Sequence, residues 1–237
     1  MSGTTRLASL FFIPVLVLAT AALALAAGRP PLDEVTLEVV EHIKEREADL
    51  KTFEARFDQI QKSKMFQQIV QSHGIIRYDA RGKLLFQITD PTPFTVVFDG
   101  DWVYIRDPGD TGQNRIKKHR IGQQENILRK YFGVGQPLED LTRRFDVKAT
   151  SNKPLPGVTL VMRPKEARLS KRVSMISADV DDGSWLPREI FIEQPQGDWT
   201  RMHLEFTTVN QPLPADAFNL AGDAMQNSPT TERKEAP

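Results

Sequence analysis

The stretch PTPFTVVFDGDWVYIRD, Pro91 to Asp107, places apolar side chains at Phe94, Val96 and Phe98, and again at Val103 and Ile105, on either side of Asp99-Gly100. A period of two puts those side chains on one face of an extended chain. Asp-Gly supplies the backbone angles of a tight hairpin. The stretch reads as two antiparallel strands, with Trp102, Tyr104 and Arg106 turned to the other face or to the rim.

The same rhythm runs through most of the chain. Phe53, Ala55 and Phe57 alternate with Glu54, Arg56 and Asp58. Leu84, Phe86 and Ile88 share one parity, as do Val158, Leu160 and Met162, then Ile190 and Ile192, then Met202, Leu204 and Phe206. Turn signals punctuate these runs at Asp79–Gly82, Asp107–Asp110, Asp181–Gly183 and Pro195–Asp198. One-sided strands favour an antiparallel sheet with one face apolar and the other in water. A sheet of about ten twisted strands tends to curl. The expectation is a mainly β (α+β) chain: a curved antiparallel sheet whose apolar face a few helices fill or cover. Helical spacing of Leu32, Val35, Val39, Ile43 and Leu50 predicts one helix over Leu32–Leu50. Ile127, Leu128, Tyr131 and Phe132 suggest a short second helix over Gln123–Phe132, ended by Gly133, and Pro137–Leu141 adds a further turn.

The 237 residues suit one domain with short tails, and 40% apolar residues suffice for a core. The formal charge is zero, with 31 cations against 31 acids, which disfavours nucleic acid as a partner. There is no cysteine. That excludes disulfides, zinc-thiolate sites, a thiol nucleophile and lipidation of the chain's own N-terminal cysteine. Arg6, the apolar run from Leu7 to Ala27 and the A-x-A-like Ala24-Leu25-Ala26 read as a signal peptide over residues 1–26. The run is also long enough to span a membrane as an anchor, but Pro14 and its alanine-rich end favour cleavage. A domain over 27–220 would then lie outside the cytoplasm, followed by a polar tail, 221–237, expected to be disordered.

Chemistry is sparse. The four histidines, His42, His73, His119 and His203, fall in no metal-ligand spacing, and no nucleophile elbow or phosphate loop is present. Asp181-Asp182-Gly183 reads as a hairpin turn ahead of a carboxylate pair. The basic run Arg115–Arg120 reads as a solvated strand and loop ahead of an anionic-surface patch. No enzyme activity, cofactor or metal is expected. The coherent signal is aromatic: Phe53, Phe57, Phe86, Phe94, Phe98 and Phe206 share the inferred apolar face. A packed core explains any one of them. Together, on a curved sheet under few helices, they suit a cavity for acyl chains.

The order of segments resembles the periplasmic lipoprotein carriers, the LolA-like family. Phe53-Glu54-Ala55-Arg56-Phe57-Asp58-Gln59 looks like that family's first strand, F-x-A-x-F-x-Q. Gly74-Ile75-Ile76, Gly82–Phe86, the quoted hairpin, Asp179–Leu186 and Leu213–Leu220, the last resembling the family's final strand, follow in family order over nearly the whole exported chain. The resemblance implies an open half β-barrel with a helical lid around an apolar cavity, holding lipoprotein or lipid acyl chains. It also implies a periplasmic monomer that takes cargo from an inner-membrane transporter to an outer-membrane receptor. Phe57, Leu84, Phe86, Ile88, Val96, Phe98, Val103, Ile105, Leu204 and Phe206 would line the cavity. The family's lid-latching arginine falls in register on Ala80, which leaves Arg77 and Arg81 as latch candidates. An envelope sensing or structural module with a solid core, and a hydrolase using scattered carboxylates, are the rival readings.

Overall fold

In a computed structural model of the chain, the structure describes residues 32–65, 67–109, 114–120, 142–151 and 157–220. The expected signal peptide, the helices expected within 123–141 and the tail beyond 220 lie outside the described residues. Helix α1 spans Glu34–Asp49. The strands are β1 (Thr52–Ser63), β2 (Gln68–Asp79), β3 (Lys83–Asp90), β4 (Phe94–Asp99), β5 (Trp102–Pro108), β6 (Asn114–Arg120), β7 (Phe145–Ser151), β8 (Val158–Pro164), β9 (Met175–Val180), β10 (Pro187–Glu193) and β11 (Trp199–Val209), with a one-turn helix α2 at Ala167–Ser170 between β8 and β9. They form one antiparallel sheet in the order β6-β5-β4-β3-β2-β1-β11-β10-β9-β8-β7. Two meanders run outward from the central pair β1–β11, which joins residues from opposite ends of the chain, such as Phe57 with Leu204. Strands β6 and β7 do not pair with each other, so the sheet stays an open half-barrel with two edges. Among the described residues no helix is long and apolar enough to cross a membrane.

The expected helix is present and its ends have local causes. Asp33 is the N-cap: its Oδ1 accepts the Thr36 N–H at 2.9 Å and its Oδ2 accepts the Thr36 hydroxyl at 3.0 Å. Those two bonds, the backbone one first, hold the Asp33 carboxyl below its ordinary range. Leu50 takes an extended conformation and stops the helix. The hairpins fall where Asp and Gly stand. Asp99 pairs with Trp102 around a two-residue loop whose first member, Gly100, has φ +58°. Asp181 Oδ1 accepts the Ser184 N–H, the Ser184 hydroxyl and the Gly183 N–H, so Asp181 builds the turn.

Pairing registers carry one apolar face across the whole sheet. From Phe57 the row runs through Gly74 and Ile88 to Phe94 on one side, and through Leu204 on the other. The neighbouring rows reach Met202, Ile190, Ala178, Leu160 and Ala149. Helix α1 lies on this inner face. Its Val39, Val40 and Ile43 pack with Phe145, Val147, Ala149, Val158, Leu160 and Val180. Thr36, fully buried, accepts the Ala149 N–H at 2.9 Å. That N–H belongs to β7, an edge strand among the described residues, so the helix satisfies part of an edge that no described strand pairs.

Two expectations need correction. The outer face is not left wholly to water: Leu85 and Val97 are buried there with Leu220, against Ile75, Tyr104 and Phe218. The segment Leu213–Leu220, expected as a last strand, is instead a turn-rich cover over that outer face, and the last strand is β11. Pro212 and Pro214 remove backbone donors that a ladder would need.

Candidate functional site

The ten residues expected to line a cavity come from β1, β3, β4, β5 and β11, and all lie on the inner face. Leu84, Val96, Phe98 and Val103 form one cluster with Ile105, Ile76, Tyr78 and Phe94 around it. Phe57, Phe86, Ile88 and Leu204 form a second, with Phe206, Met202 and Ile190. Ile76 and Phe94 belong to both, so the surface is continuous. The rings of Phe57 and Phe86 stack at 4.8 Å, and Phe206 meets Phe53 edge-on at 5.2 Å. Eight of the ten are buried, and Ile105 and Phe206 are half-buried.

Among the described residues, both clusters consist of strand side chains alone. Helix α1 covers the β7–β9 half of the inner face, and its C-cap Leu50 packs onto Phe53 and Ala55. The floor is made smooth by Gly74, opposite Phe57. A Cβ there would stand 1.9 Å from the Gln87 carbonyl oxygen and 2.5 Å from Phe57 Cζ. The glycine lets the Phe57 ring lie flat on β2, and a register shift between His73 and Gly74 accompanies it.

The arginines considered as latches have other partners. Arg77 stands on the outer face, where its Nε donates to Glu54 at 2.6 Å and its Nη1 to the Ala217 carbonyl at 3.4 Å. It fastens the C-terminal segment to the sheet. Arg81 sits in the β2–β3 turn, is 84% exposed, and grips the buried Asp79 through Nε and Nη2. The Arg81 hydrogen bonds hold the Asp79 carboxyl below its ordinary range.

Three features escaped the sequence reading. Thr36 carries no signal in the sequence that separates it from the other polar residues of the helix. Consecutive apolar triplets, Leu84-Leu85-Phe86 and Val96-Val97-Phe98, mark strands buried on both faces, a signal that was available. Glu47 shares the sheet-facing stripe of α1 with Thr36, Val40 and Ile43 at helical spacing. Burial alone pushes its carboxyl up to about 7.

Polar chemistry collects on the opposite face. A shallow groove of about 270 Å³ is lined by Arg56, Asp58, His73, Thr89, His203 and Glu205. Asp58 hydrogen-bonds His73 Nδ1 and faces His203 in the next strand. His203 is exposed, as its parity predicts. No group of three His, Asp or Glu among the described residues has metal-holding geometry.

A family model described as outer membrane lipoprotein carrier protein LolA matches residues 48–221. Comparison with curated protein sequences gives no match. Among solved structures, the Mycobacterium tuberculosis lipoprotein LppX is 12% identical, with a TM-score of 0.49, and the match covers 78% of this chain and 100% of that one. LprF from Mycobacterium bovis is 10% identical, with a TM-score of 0.42, over 78% and 97% of the two chains. MucB in the Pseudomonas aeruginosa MucA/MucB complex is 14% identical, with a TM-score of 0.45, over 78% and 62%.

Proposed function

Because this chain belongs to the LolA family of outer membrane lipoprotein carriers, we propose that it binds acyl chains of lipoproteins or lipids on its inner face and carries them from the inner to the outer membrane. The observation that carries this reading is the continuous apolar surface of β1, β3, β4, β5 and β11, built, among the described residues, from strand side chains only, in a sheet that does not close. An acyl chain gains about 0.8 kcal/mol per CH₂ removed from water. A chain of ordinary length on this surface therefore competes with a bilayer, and release requires a partner or movement that lowers the burial. Residues Phe57, Leu84, Phe86, Ile88, Val96, Phe98, Val103, Ile105, Leu204 and Phe206 form the contact surface in this reading. Arg77 and Arg81 stay the only arginines proposed for closing a lid, and each would have to leave its present carboxylate to do so. An inner-membrane transporter and an outer-membrane receptor are the partners it calls for, in the periplasm.

The test is extraction of the purified protein followed by mass spectrometry, with uptake of a fluorescent fatty acid as a second measure. Co-purified acyl lipid and saturable uptake are expected. No lipid and no uptake would refute carriage and leave an envelope module of the same fold. Phe98→Glu separates the two further: a lipid-contacting wall keeps its fold and loses uptake, whereas a solid core fails to fold.

A further inference from the structure

The edge strand β6 presents five basic side chains in six positions, Arg115, Lys117, Lys118, His119 and Arg120, and all five are exposed. Its partner β5 adds Arg106. Against five permanent cations the two strands hold one carboxylate, Asp107, which pairs with Arg115 and Lys117 at 3.2 Å each. The two strands therefore carry a net charge of +4, and +3 once Asp110, between them in the sequence, is counted, in a chain whose formal total is zero. Charge on an exposed edge has an ordinary use, since it blocks edge-to-edge pairing. Three observations go beyond that use.

The cations occupy both faces. Register places Lys117 opposite Ile105 and His119 opposite Val103 on the inner face, and Lys118 opposite Tyr104 and Arg120 opposite Trp102 on the outer face. On the outer face they stand on an aromatic shelf. The Lys118 ammonium lies 3.8 Å from the Trp102 ring centre and 5.5 Å from that of Tyr104, and the Arg120 guanidinium lies 6.0 Å from Trp102. Trp and Tyr beside Lys and Arg is the composition that settles at a bilayer's headgroup level, with an apolar body below and a charged tip above. On the inner face the cations border Val103 and Ile105, the last residues of the apolar surface before the open edge.

We propose that the β5–β6 edge is a docking surface for an anionic phospholipid bilayer, with Lys117, Lys118 and Arg120 on the phosphates and Trp102 and Tyr104 at the headgroup boundary. Docked this way, the open edge of the half-barrel faces the membrane, and the apolar inner surface begins where the lipid ends. The proposal does not depend on acyl carriage, because surface binding is read with no cargo transferred.

The test uses vesicles of phosphatidylcholine alone or mixed with phosphatidylglycerol. The N-terminal apolar segment, residues 1–26, expected as a cleaved signal peptide, is left out to keep it from binding lipid itself. Co-sedimentation is expected with the mixed vesicles and not with phosphatidylcholine, and it should fall steeply with added salt. Replacing Lys117, Lys118 and Arg120 together by Gln should weaken partitioning on the order of 100-fold, from the contribution of each cation near an anionic surface. The double variant Lys117→Arg, Lys118→Arg should preserve it. Trp102 emission should shift to the blue on binding, and Trp102→Phe identifies that signal. Size exclusion checks that the Gln variant stays folded and dispersed; should it aggregate, the salt dependence and the Trp102 shift decide alone. Equal binding to both vesicle types, or binding to acidic polypeptide but not to mixed vesicles, would overturn the proposal. So would a folded Gln variant that binds as the parent does. Loss of acyl uptake with bilayer binding intact counts against carriage only.

Discussion

Thr36→Val tests how the helix is held on the sheet. Thr36 Oγ1 accepts the Ala149 N–H at 2.9 Å and donates to Asp33 at 3.0 Å, and the residue has no solvent exposure. Valine keeps the shape and removes both bonds. The Ala149 N–H, which points away from the β8 ladder, is then buried without a partner, at about 1–3 kcal/mol. The lost bond to Asp33 counts for little, because Asp33 is exposed and keeps the Thr36 backbone N–H. The new methyl returns about 0.8 kcal/mol. The net loss is on the order of 1 kcal/mol. Urea unfolding should show a lower midpoint with an unchanged slope, since the surface exposed on unfolding is the same. Thr36→Ser keeps the hydroxyl and serves as control. Native-state hydrogen exchange should report faster exchange at the Ala149 amide in the valine variant and parent-like protection in the serine variant. A valine variant as stable as the serine one, with Ala149 still protected, would show that apolar packing alone seats α1 and that the bond is incidental.

Glu47→Gln should make stability less dependent on pH. Burial raises the folded-state pKa from the ordinary 4.5 to about 7, so the carboxyl's penalty is absent below about 4.5, grows as pH rises towards 7 and is complete above it. The Gln variant should match the parent near pH 4 and exceed it by about 2 kcal/mol at pH 8, discounted for partial exposure; an equal gap at both pH values would refute the assignment. Gly74→Ala drives a Cβ into the Gln87 carbonyl and the Phe57 ring. It should cost at least about 3 kcal/mol in denaturant unfolding, at the upper end of overpacking effects, and a parent-like midpoint would mean the strand yields easily. Arg77→Ala removes the half-buried bond to Glu54 and the hold on Ala217. Faster hydrogen exchange over residues 217–220 should result, with a global loss of about 1 kcal/mol, and an unchanged exchange pattern would show that Phe218 and Leu220 suffice.

Local sequence determined a good deal. Alternation at Phe94–Phe98 and Val103–Ile105 placed those residues on one face, and Asp99-Gly100 set the turn between them, because both depend only on backbone period and on angles a residue pair can adopt. Asp33 and Leu50 bracket the helix for similarly local reasons. The face common to Phe57, Leu84, Phe98 and Leu204 was legible as well, since the two-residue period labels each strand's inner side before pairing is known.

Tertiary structure decided what each face meets. No local rule pairs β1 with β11, strands separated by most of the chain, and that pairing makes two meanders into one open sheet. Pro212 and Pro214 announce that the segment leaves the ladder, but no local rule says that it covers Leu85 and Val97. Arg77 is an ordinary strand cation until register places it beside Glu54 and under Ala217. Thr36 becomes an anchor only because an edge-strand amide from residue 149 arrives at its hydroxyl. The quoted hairpin shows both sides of this. Its inward face follows from the sequence period, while its outward Tyr104 and Trp102 gained their partners, Leu220 and Phe218 for one and Lys118 for both, from segments brought to them by folding. Periodicity fixes the direction in which a side chain points, and only long-range pairing supplies what it points at.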